Sequence, residues 1–304
     1  MKKLNFVVSL STNTNDFQVE MAIAAQAAAE KLGVGVQVMY AENDPIAQSQ
    51  QLLKAVQSPA GSRPDGILFH PFGGTALPQV ARAAVAAGIG VVVLNWHADY
   101  ITELRTSSLV PIFIYSSNHR EIGHIQAQQF EALLPQGGKV LYIQGPAASF
   151  GAQERTVGMS EKKPENIQAK MLRAASWTEE AGYKAVTSWL RLSTAQSERV
   201  DLIAAQNDVI AIGARKAFGE VLRDADRERW MHLPFTGVDG LPKTGQTWVR
   251  KNSLTATIVV PPNTGLAIEA LANAIQTGLQ LPECILTEPK SFPSVGELKK
   301  RGIY

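Results

Sequence analysis

The sequence has few of the features that mark membrane, disulfide-bonded or nucleic-acid-binding proteins. One cysteine in 304 residues, Cys284, excludes an intramolecular disulfide and any zinc cluster built from cysteines. No apolar run approaches the roughly 20 residues that a membrane-spanning helix needs. The net charge is only +2 and the chain has no dense run of lysine and arginine, so we expect no binding to nucleic acid.

The motifs of the common enzyme classes are missing too. The chain has no G-x-S-x-G nucleophile elbow, no Walker phosphate loop, and no G-x-G-x-x-G after its first predicted strand. The five histidines include one helical pair, His119 and His124, whose i, i+5 spacing suits metal capture poorly. Glu154, Glu179 and Glu180 lie in the first turns of predicted helices, where carboxylates complement the helix dipole. We therefore expect no enzyme activity, no metal site and no cofactor.

What the sequence does contain is a regular alternation of short apolar runs and amphipathic helices. Its 45% hydrophobic and 18% charged residues are typical of a soluble globular protein, and its length suffices for two core-forming lobes. Leu4–Leu10 and Gly66–Phe69 are two of four predicted strands that alternate with helices in about the first 100 residues. A second series begins near Pro111 and includes Gly138–Ile143 and Val200–Ala205. We predict an α/β fold of two doubly wound parallel-sheet lobes.

Helix boundaries are marked by residues with known capping preferences. Gly33 predicts the end of a helix over Phe17–Leu32, because glycine adopts the left-handed conformation that ends helices. Asp44 followed by Pro45 predicts a helix start. After the strand Val200–Ala205, either Asn207 or Asp208 can cap the next helix.

Polar and aromatic side chains follow many of the predicted strands. Ligands of open α/β sheets bind beyond the carboxyl ends of the strands, so these residues are candidates for a binding site. Aromatic rings can stack on the C–H face of a sugar, and planar polar groups can donate and accept across adjacent hydroxyls. Each residue also fits a structural role, as a core aromatic, a helix cap, a turn or a surface cation. The candidates are Asn15, Phe17, Asn95, Trp96, Arg155, Trp177, Asn207 and Asp239.

Several short sequence motifs resemble those of a known family. The most specific are Gln206-Asn207-Asp208 and, about thirty residues later, Gly237-Val238-Asp239-Gly240. The same assignment is supported by further motifs at residues 15–17, 43–45, 152–155, 177–179 and 255–258. Over nearly its whole length the chain resembles the type I periplasmic substrate-binding proteins, closest to the ribose- and sugar-binding branch, which shares its fold with the effector domains of LacI-type repressors.

The resemblance implies two lobes joined by a three-strand hinge, with one sugar bound in the cleft between them and trapped by hinge closure. The implied N-terminal lobe is 1–116 plus about 261–290, and the C-terminal lobe is 117–260 plus about 291–304. By position, Phe17 and Trp177 would sandwich the sugar ring. The residues implied to bond its hydroxyls are Asn207, Asp239 and Arg155 from the second lobe, and His70 and Asn95 from the first.

Three positions depart from the family pattern. Asn95-Trp96 stands where sugar binders of this branch often have Asp-Arg, Gln18 where many have a second aromatic residue, and Val260 where several have a polar one. These changes indicate a pocket less polar than a ribose site, and the particular sugar stays open.

Two functions of different class fit this reading. The first is a monomeric periplasmic or extracellular receptor, its export signal removed, that binds a sugar or polyol and hands it to a membrane ABC permease. The second is a cytoplasmic sugar sensor that works with a separate kinase. A LacI-type repressor would need roughly 50–60 residues of helix-turn-helix domain before the first strand, and the chain begins at that strand, so DNA binding is disfavoured.

Overall fold

A computed structural model describes residues 3–73, 76–192, 195 and 198–301 of the chain. Contacts between elements divide these residues into two units. Unit 1 comprises the described residues up to Ser117 together with Pro262–Thr287, and unit 2 comprises Asn118–Pro261 together with the described residues from Glu288 onward. The chain therefore passes from one unit to the other three times. Residues 1–2 and 302–304, which the predicted lobes included, lie outside the described residues.

Strands and helices alternate along both units. The described strands are β1 (Asn5–Leu10), β2 (Gly35–Tyr40), β3 (Gly66–Phe69), β4 (Gly90–Leu94), β5 (Ile112–Ser117), β6 (Gly138–Gln144), β7 (Ile167–Arg173), β8 (Leu202–Ala205), β9 (Phe235–Thr236), β10 (Thr257–Val259), β11 (Cys284–Thr287) and β12 (Lys290–Phe292). The described helices are α1 (Asp16–Leu32), α2 (Pro45–Val56), α3 (Pro78–Ala86), α4 (Tyr100–Ser107), α5 (His119–Leu133), α6 (Phe150–Lys162), α7 (Glu179–Leu190), α8 (Asp208–Val221), α9 (Asp224–Met231), α10 (Gly245–Arg250), α11 (Thr264–Thr277) and α12 (Val295–Arg301). None of these helices is both long and apolar enough to span a bilayer.

Unit 1 is built on a six-stranded parallel sheet in the order β2-β1-β3-β4-β5-β11. Phe6 and Val8 of β1 pack against α1 and α11 on one face, where Leu271 is fully buried. Val7, between them in sequence, packs on the other face with Leu52 of α2. The strand order reverses between β1 and β3, and such a switch point is where doubly wound sheets bind ligands.

Unit 2 repeats this plan with a four-stranded parallel sheet in the order β7-β6-β8-β9. The adjacent β8 residues Leu202 and Ile203 are both fully buried, on opposite faces of the sheet. Ile203 shares a core with Trp189 of α7 and Phe218 of α8. Beside this sheet, β10 and β12 form a separate antiparallel pair. The switch point of this sheet lies between β6 and β8. The predicted fold of two α/β lobes with parallel sheets is confirmed.

The capping predictions agree with the structure where a side chain or a backbone angle can test them. Gly33 ends α1 in the left-handed conformation, with φ 67°. The Asp44 carboxylate accepts hydrogen bonds from the N–H groups of Ile46 and Ala47, and Pro45 is the first residue of α2. Asn207, not Asp208, is the cap of α8.

No sequence pattern predicted α4, α9, α10, α12 or β12. The β-branched run Leu254–Val260 predicts a seven-residue strand, of which the structure forms only the three residues of β10. Helix α9 buries only Trp230, so it has no apolar stripe to reveal its period. Helix α10 has six residues, which is too short for a periodic pattern. Strand β10 keeps only Thr257–Val259, which pair with the three-residue β12. Toward β9 this segment makes only isolated parallel bridges, at Ala256 and Val259.

Candidate functional site

Gln206, fully buried after β8, connects the elements around the switch point of unit 2. Its Oε1 accepts a hydrogen bond from the Gly145 N–H at 2.8 Å, and its Nε2 lies 3.0 Å from the Tyr142 hydroxyl and 2.9 Å from the Ala152 carbonyl. Its backbone carbonyl accepts a hydrogen bond from Nη1 of Arg155. The side chain therefore fixes the loop after β6 and the start of α6 relative to the end of β8.

Arg155 is a buried cation whose Nε lacks a hydrogen-bond acceptor among the described residues. It projects from α6, is 6% exposed, and its guanidinium carbon lies 5.5 Å from the centre of the Trp177 ring. Burial lowers the pKa of Arg155, and the charges of Asp239 and then Asp208 oppose that shift. Within the described residues its buried Nε has no hydrogen-bond partner. A buried donor without a partner is costly, so an acceptor oxygen supplied by a ligand would relieve that cost.

Trp177 follows β7 and lies flat against the backbone at Gly145. A Cβ atom at Gly145 would stand 2.2 Å from the indole ring, so only glycine allows this seating. The indole is partly buried, and it packs on the core between the sheet and α7. One ring therefore contacts the protein core and the Arg155 guanidinium at once, which holds it rigid.

Asn207 and Asp208 are both buried but use their side chains differently. Oδ1 of Asn207 accepts from the Ile210 N–H at 2.9 Å, while its Nδ2 makes no hydrogen bond among the residues described. The Asp208 carboxylate accepts from the Gly240 N–H at 2.8 Å and the Thr257 hydroxyl at 2.6 Å. Burial, followed by the charge of Asp239, raises the pKa of Asp208 well above its ordinary value. Asn207 thus has a buried donor that the described residues leave without an acceptor, and Asp208 braces the neighbouring loops through Gly240 and Thr257.

Asp239 stands after β9 in a backbone conformation that few residues adopt, with φ 105°. Its N–H donates to the Ile258 carbonyl at 3.0 Å, and its own carbonyl accepts from the Val260 N–H. Its carboxylate is close enough to influence the pKa values of both Arg155 and Asp208. Unit 2 therefore brings its four predicted residues together at the carboxyl edge of one sheet: Arg155, Trp177, Asn207 and Asp239.

In unit 1, His70 after β3 is joined to α1 by a residue that the sequence analysis did not select. Oε1 of the buried Gln18 accepts from the Ser11 N–H at 3.1 Å, and its Nε2 lies 2.8 Å from Nδ1 of His70. The Gln48 side chain donates to the His70 carbonyl at 2.9 Å. Burial lowers the pKa of His70 to about 4, so the imidazole is neutral at physiological pH.

Asn95, by contrast, has its amide engaged inside unit 1. It has φ 54°, is 4% exposed, and its Oδ1 accepts from the Ser117 N–H at 2.9 Å and from Nδ2 of Asn263 at 2.8 Å. Its Nδ2 faces the Met21 sulfur at 3.8 Å. A ligand contact by Asn95 stays a prediction, and the structure gives this side chain an internal bracing role.

The other three candidates of unit 1 lie at the same carboxyl edge. Asn15 caps α1 by accepting a hydrogen bond from the Gln18 N–H at 3.2 Å. Phe17 is partly buried against the core shared by α1 and α11. Trp96 packs on the opposite core, beneath α2, α3 and α4. The two aromatic residues of unit 1 therefore flank different faces of its sheet.

The residues that sequence reasoning missed are those that hold the candidate side chains. Gln206 and Asp208 flank Asn207 in one of the two most specific family motifs, yet only Asn207 was predicted to contact the ligand. Gln18 was noted only because it replaces an aromatic residue of the family. Their signal in the sequence is a polar residue shortly after a predicted strand. Apart from Ser11, the partners named above lie 32 to 64 residues away in the chain.

Comparison with known proteins agrees with this architecture. The sequence model of the family described as "Periplasmic binding protein domain" matches residues 6–279. The D-allose-binding periplasmic protein of Escherichia coli K12 is 24% identical over 283 residues, which is 91% of this chain and 86% of that protein. The ribose import binding protein RbsB of Bacillus subtilis is 23% identical over 261 residues, 86% of this chain and 77% of that protein.

Among solved structures, a periplasmic solute binding protein of an ABC transporter from Actinobacillus succinogenes, with bound D-allose, superposes with a TM-score of 0.82. It is 19% identical and the match covers 98% of this chain and all of that one. This likeness shows a shared fold. Because the family match spans nearly the whole sequence, the chain belongs to the periplasmic binding protein domain family.

Proposed function

We propose that the chain is a sugar-binding receptor that delivers its ligand to an ABC-type importer. The observation that carries the proposal is the Arg155–Trp177 pair, in which a buried guanidinium with an unsatisfied Nε lies against a rigid indole ring. An aromatic face suits the C–H surface of a sugar ring, and a planar cation suits its oxygens. The family and the sugars that appear in the names of its relatives, D-allose and ribose, support the same ligand class.

The polar groups beside this pair match an uncharged polyhydroxy ligand. Asn207 offers a donor through Nδ2, and the Asp239 carboxylate is an acceptor. Sugar hydroxyls both donate and accept, so they can satisfy both kinds of group. A ligand that lacks the matching hydroxyl would leave the buried Nδ2 of Asn207 unpaired, which makes such a site selective.

In this proposal the bound ligand shifts the population of the receptor toward one of its conformational forms. A membrane permease would recognise that form. The D-allose-binding relative is a periplasmic protein, and we extend that location to this chain. The receptor has no catalytic step, and its family is one of solute-binding receptors.

Calorimetric titration with D-ribose, D-allose, D-glucose, myo-inositol and ribose 5-phosphate tests the proposal. We expect one or more of the uncharged compounds to bind, and Arg155→Lys to weaken that binding by about 10- to 100-fold, because lysine cannot reproduce the planar fork. Arg199→Lys, a change at a surface arginine of unit 2 whose side chain is 87% exposed, is the control and should bind normally. Binding of the phosphorylated sugar alone would contradict the proposal and favour a sensor of phosphorylated effectors.

A further inference from the structure

The switch point of unit 1 contains a hydrogen-bonded pair, Gln18 and His70, that the family pattern does not supply. Gln18 is 6% exposed and lies in the first turn of α1, where the resemblance leads one to expect a second aromatic residue. His70 follows β3, which is the strand adjacent to β1 across the switch point. The pair thus stands where a doubly wound sheet presents side chains to a ligand.

The orientation of the Gln18 amide follows from its second partner. The Ser11 backbone N–H can only donate, and it lies 3.1 Å from one end of the amide, so that end is the carbonyl oxygen. The other end is then the NH₂ group, which lies 2.8 Å from Nδ1 of His70. An NH₂ group only donates, so Nδ1 must accept and cannot carry a proton.

This arrangement places the single proton of the neutral imidazole on Nε2. Within the described part of the chain, Nε2 makes no hydrogen bond, and it lies on the side of the ring away from Gln18. His70 is partly exposed, and its backbone is fixed on both sides by Ser9 and Gln48. The Nε2–H group is therefore a directed donor for which the described residues supply no acceptor.

We propose that Gln18 is a positioning residue that holds His70 in the Nε2–H tautomer, so that His70 donates one hydrogen bond to an acceptor oxygen of the bound sugar. This inference rests on the proposed function for the nature of the ligand, but the tautomer belongs to the free protein. The low pKa that burial gives His70 keeps the donor neutral, so it selects an oxygen by hydrogen bonding and not by charge.

The tautomer is measured by long-range ¹H–¹⁵N correlation of the imidazole rings in the ¹⁵N-labelled full chain at neutral pH. The five histidines give five ring patterns, and the one absent from His70→Asn belongs to His70. We expect an unprotonated Nδ1 and a protonated Nε2 in the ligand-free protein. A protonated Nδ1 would overturn the proposal.

Two substitutions of Gln18 test its role as the positioning residue. Gln18→Glu keeps an acceptor for Ser11 but replaces the NH₂ group with an oxygen, so we expect His70 to acquire a proton on Nδ1. Gln18→Met is close in size and removes the hydrogen bond, so the ring should exchange between tautomers. An unchanged Nε2–H pattern in both variants would show that Gln18 does not set the tautomer. If either variant fails to fold, the wild-type spectrum still decides the protonation state.

Saturation with D-allose and D-ribose tests the donor. With a bound sugar we expect the His70 Nε2 and Hε2 signals to shift, and His70→Phe, which keeps a ring but has no donor, to bind about tenfold more weakly. Unchanged His70 signals in the presence of a sugar that calorimetry shows to be bound would overturn the contact while leaving the proposed function intact. If neither these nor the other uncharged sugars bind, the proposed function fails and the sugar contact with it, whereas the tautomer is still decided in the free protein.

Discussion

At the scale of single residues, the two ends of the Asn207 amide do different things. Its oxygen caps α8 through the Ile210 N–H, and its nitrogen makes no hydrogen bond among the described residues. A helix cap and a ligand contact are therefore compatible in this side chain, although they stood as alternatives when only the sequence was considered. The two roles can be separated because serine is also a good cap but lacks the NH₂ group.

We predict that Asn207→Ser loses about tenfold or more in sugar affinity while keeping its stability within about 0.5 kcal/mol of wild type. Asn207→Ala should lose the same affinity and in addition about 1 kcal/mol of stability, because it removes the cap. Calorimetric titration and urea denaturation measure the two quantities. Equal sugar binding by wild type and Asn207→Ser would remove Asn207 from the site.

His70 gives the protein a defined response to acid. The pKa of His70 falls from its ordinary 6.5 to about 4 on burial, so between these pH values the unfolded chain binds a proton that the folded chain does not. Lowering the pH from 6.5 to 4 therefore reduces the free energy of unfolding, by up to about 3 kcal/mol from this group. Above pH 6.5 the ring is neutral in both states and contributes no pH dependence.

Urea denaturation across this pH range, on wild type and on His70→Asn, measures that contribution. The wild-type free energy of unfolding should fall more steeply below pH 6.5 than that of the variant, and the two slopes should agree above it. Parallel profiles over the whole range would show that folding does not lower the pKa of His70.

At the scale of elements, glycines let pairs of helices in unit 2 approach closely. Helices α7 and α8 meet at Gly182 and Gly213, and α5 and α6 meet at Gly123 and Gly158. A Cβ atom at Gly213 would stand 2.0 Å from the Glu179 carbonyl oxygen, which belongs to the backbone of α7. The start of α8, and with it Asn207 and Asp208, is therefore positioned by a contact that admits no side chain.

We predict that Gly213→Ala destabilises unit 2 by about 1–3 kcal/mol, because backbone atoms must move to admit the methyl group. Gly219→Ala, on the same helix, is the matched control: its Cβ would meet the flexible Met231 side chain, at 3.5 Å from the sulfur and 3.8 Å from the methyl carbon, which are ordinary contacts. Alanine is the better helix former, so this control should gain up to about 1 kcal/mol. Thermal denaturation measures both, and an equal effect of the two changes would contradict the close contact between α7 and α8.

At the scale of the whole molecule, the weak net charge matters for what the protein can bind. A net charge of +2 creates little long-range attraction, and the proposed ligand carries no charge. We predict that the sugar dissociation constant changes by less than about twofold between about 0.05 and 0.5 M sodium chloride, since salt screens only charged partners. Affinity that falls steeply with salt would indicate an anionic ligand, such as a phosphorylated effector.

The plan of two α/β units could be predicted from the sequence because it rests on local patterns. Apolar runs bounded by Gly33 or by Asp44 and Pro45 mark the ends of elements within a few residues, since caps act over a single helical turn. The polar helix α9 was missed because it buries only Trp230 and so shows no local pattern of apolar residues.

The sequence by itself determined the fold class, the family, and which strands are followed by polar and aromatic side chains. Each of these properties is encoded in short contiguous segments of the chain. Only the tertiary structure decided how each of these side chains is used. It turned Asn95 inward against Asn263, joined Gln18 to His70 across 52 residues, and placed Gln206 between β6 and α6. Those outcomes depend on pairs of polar groups distant in the chain, and whether a buried donor has a partner can be known only once the strands are side by side.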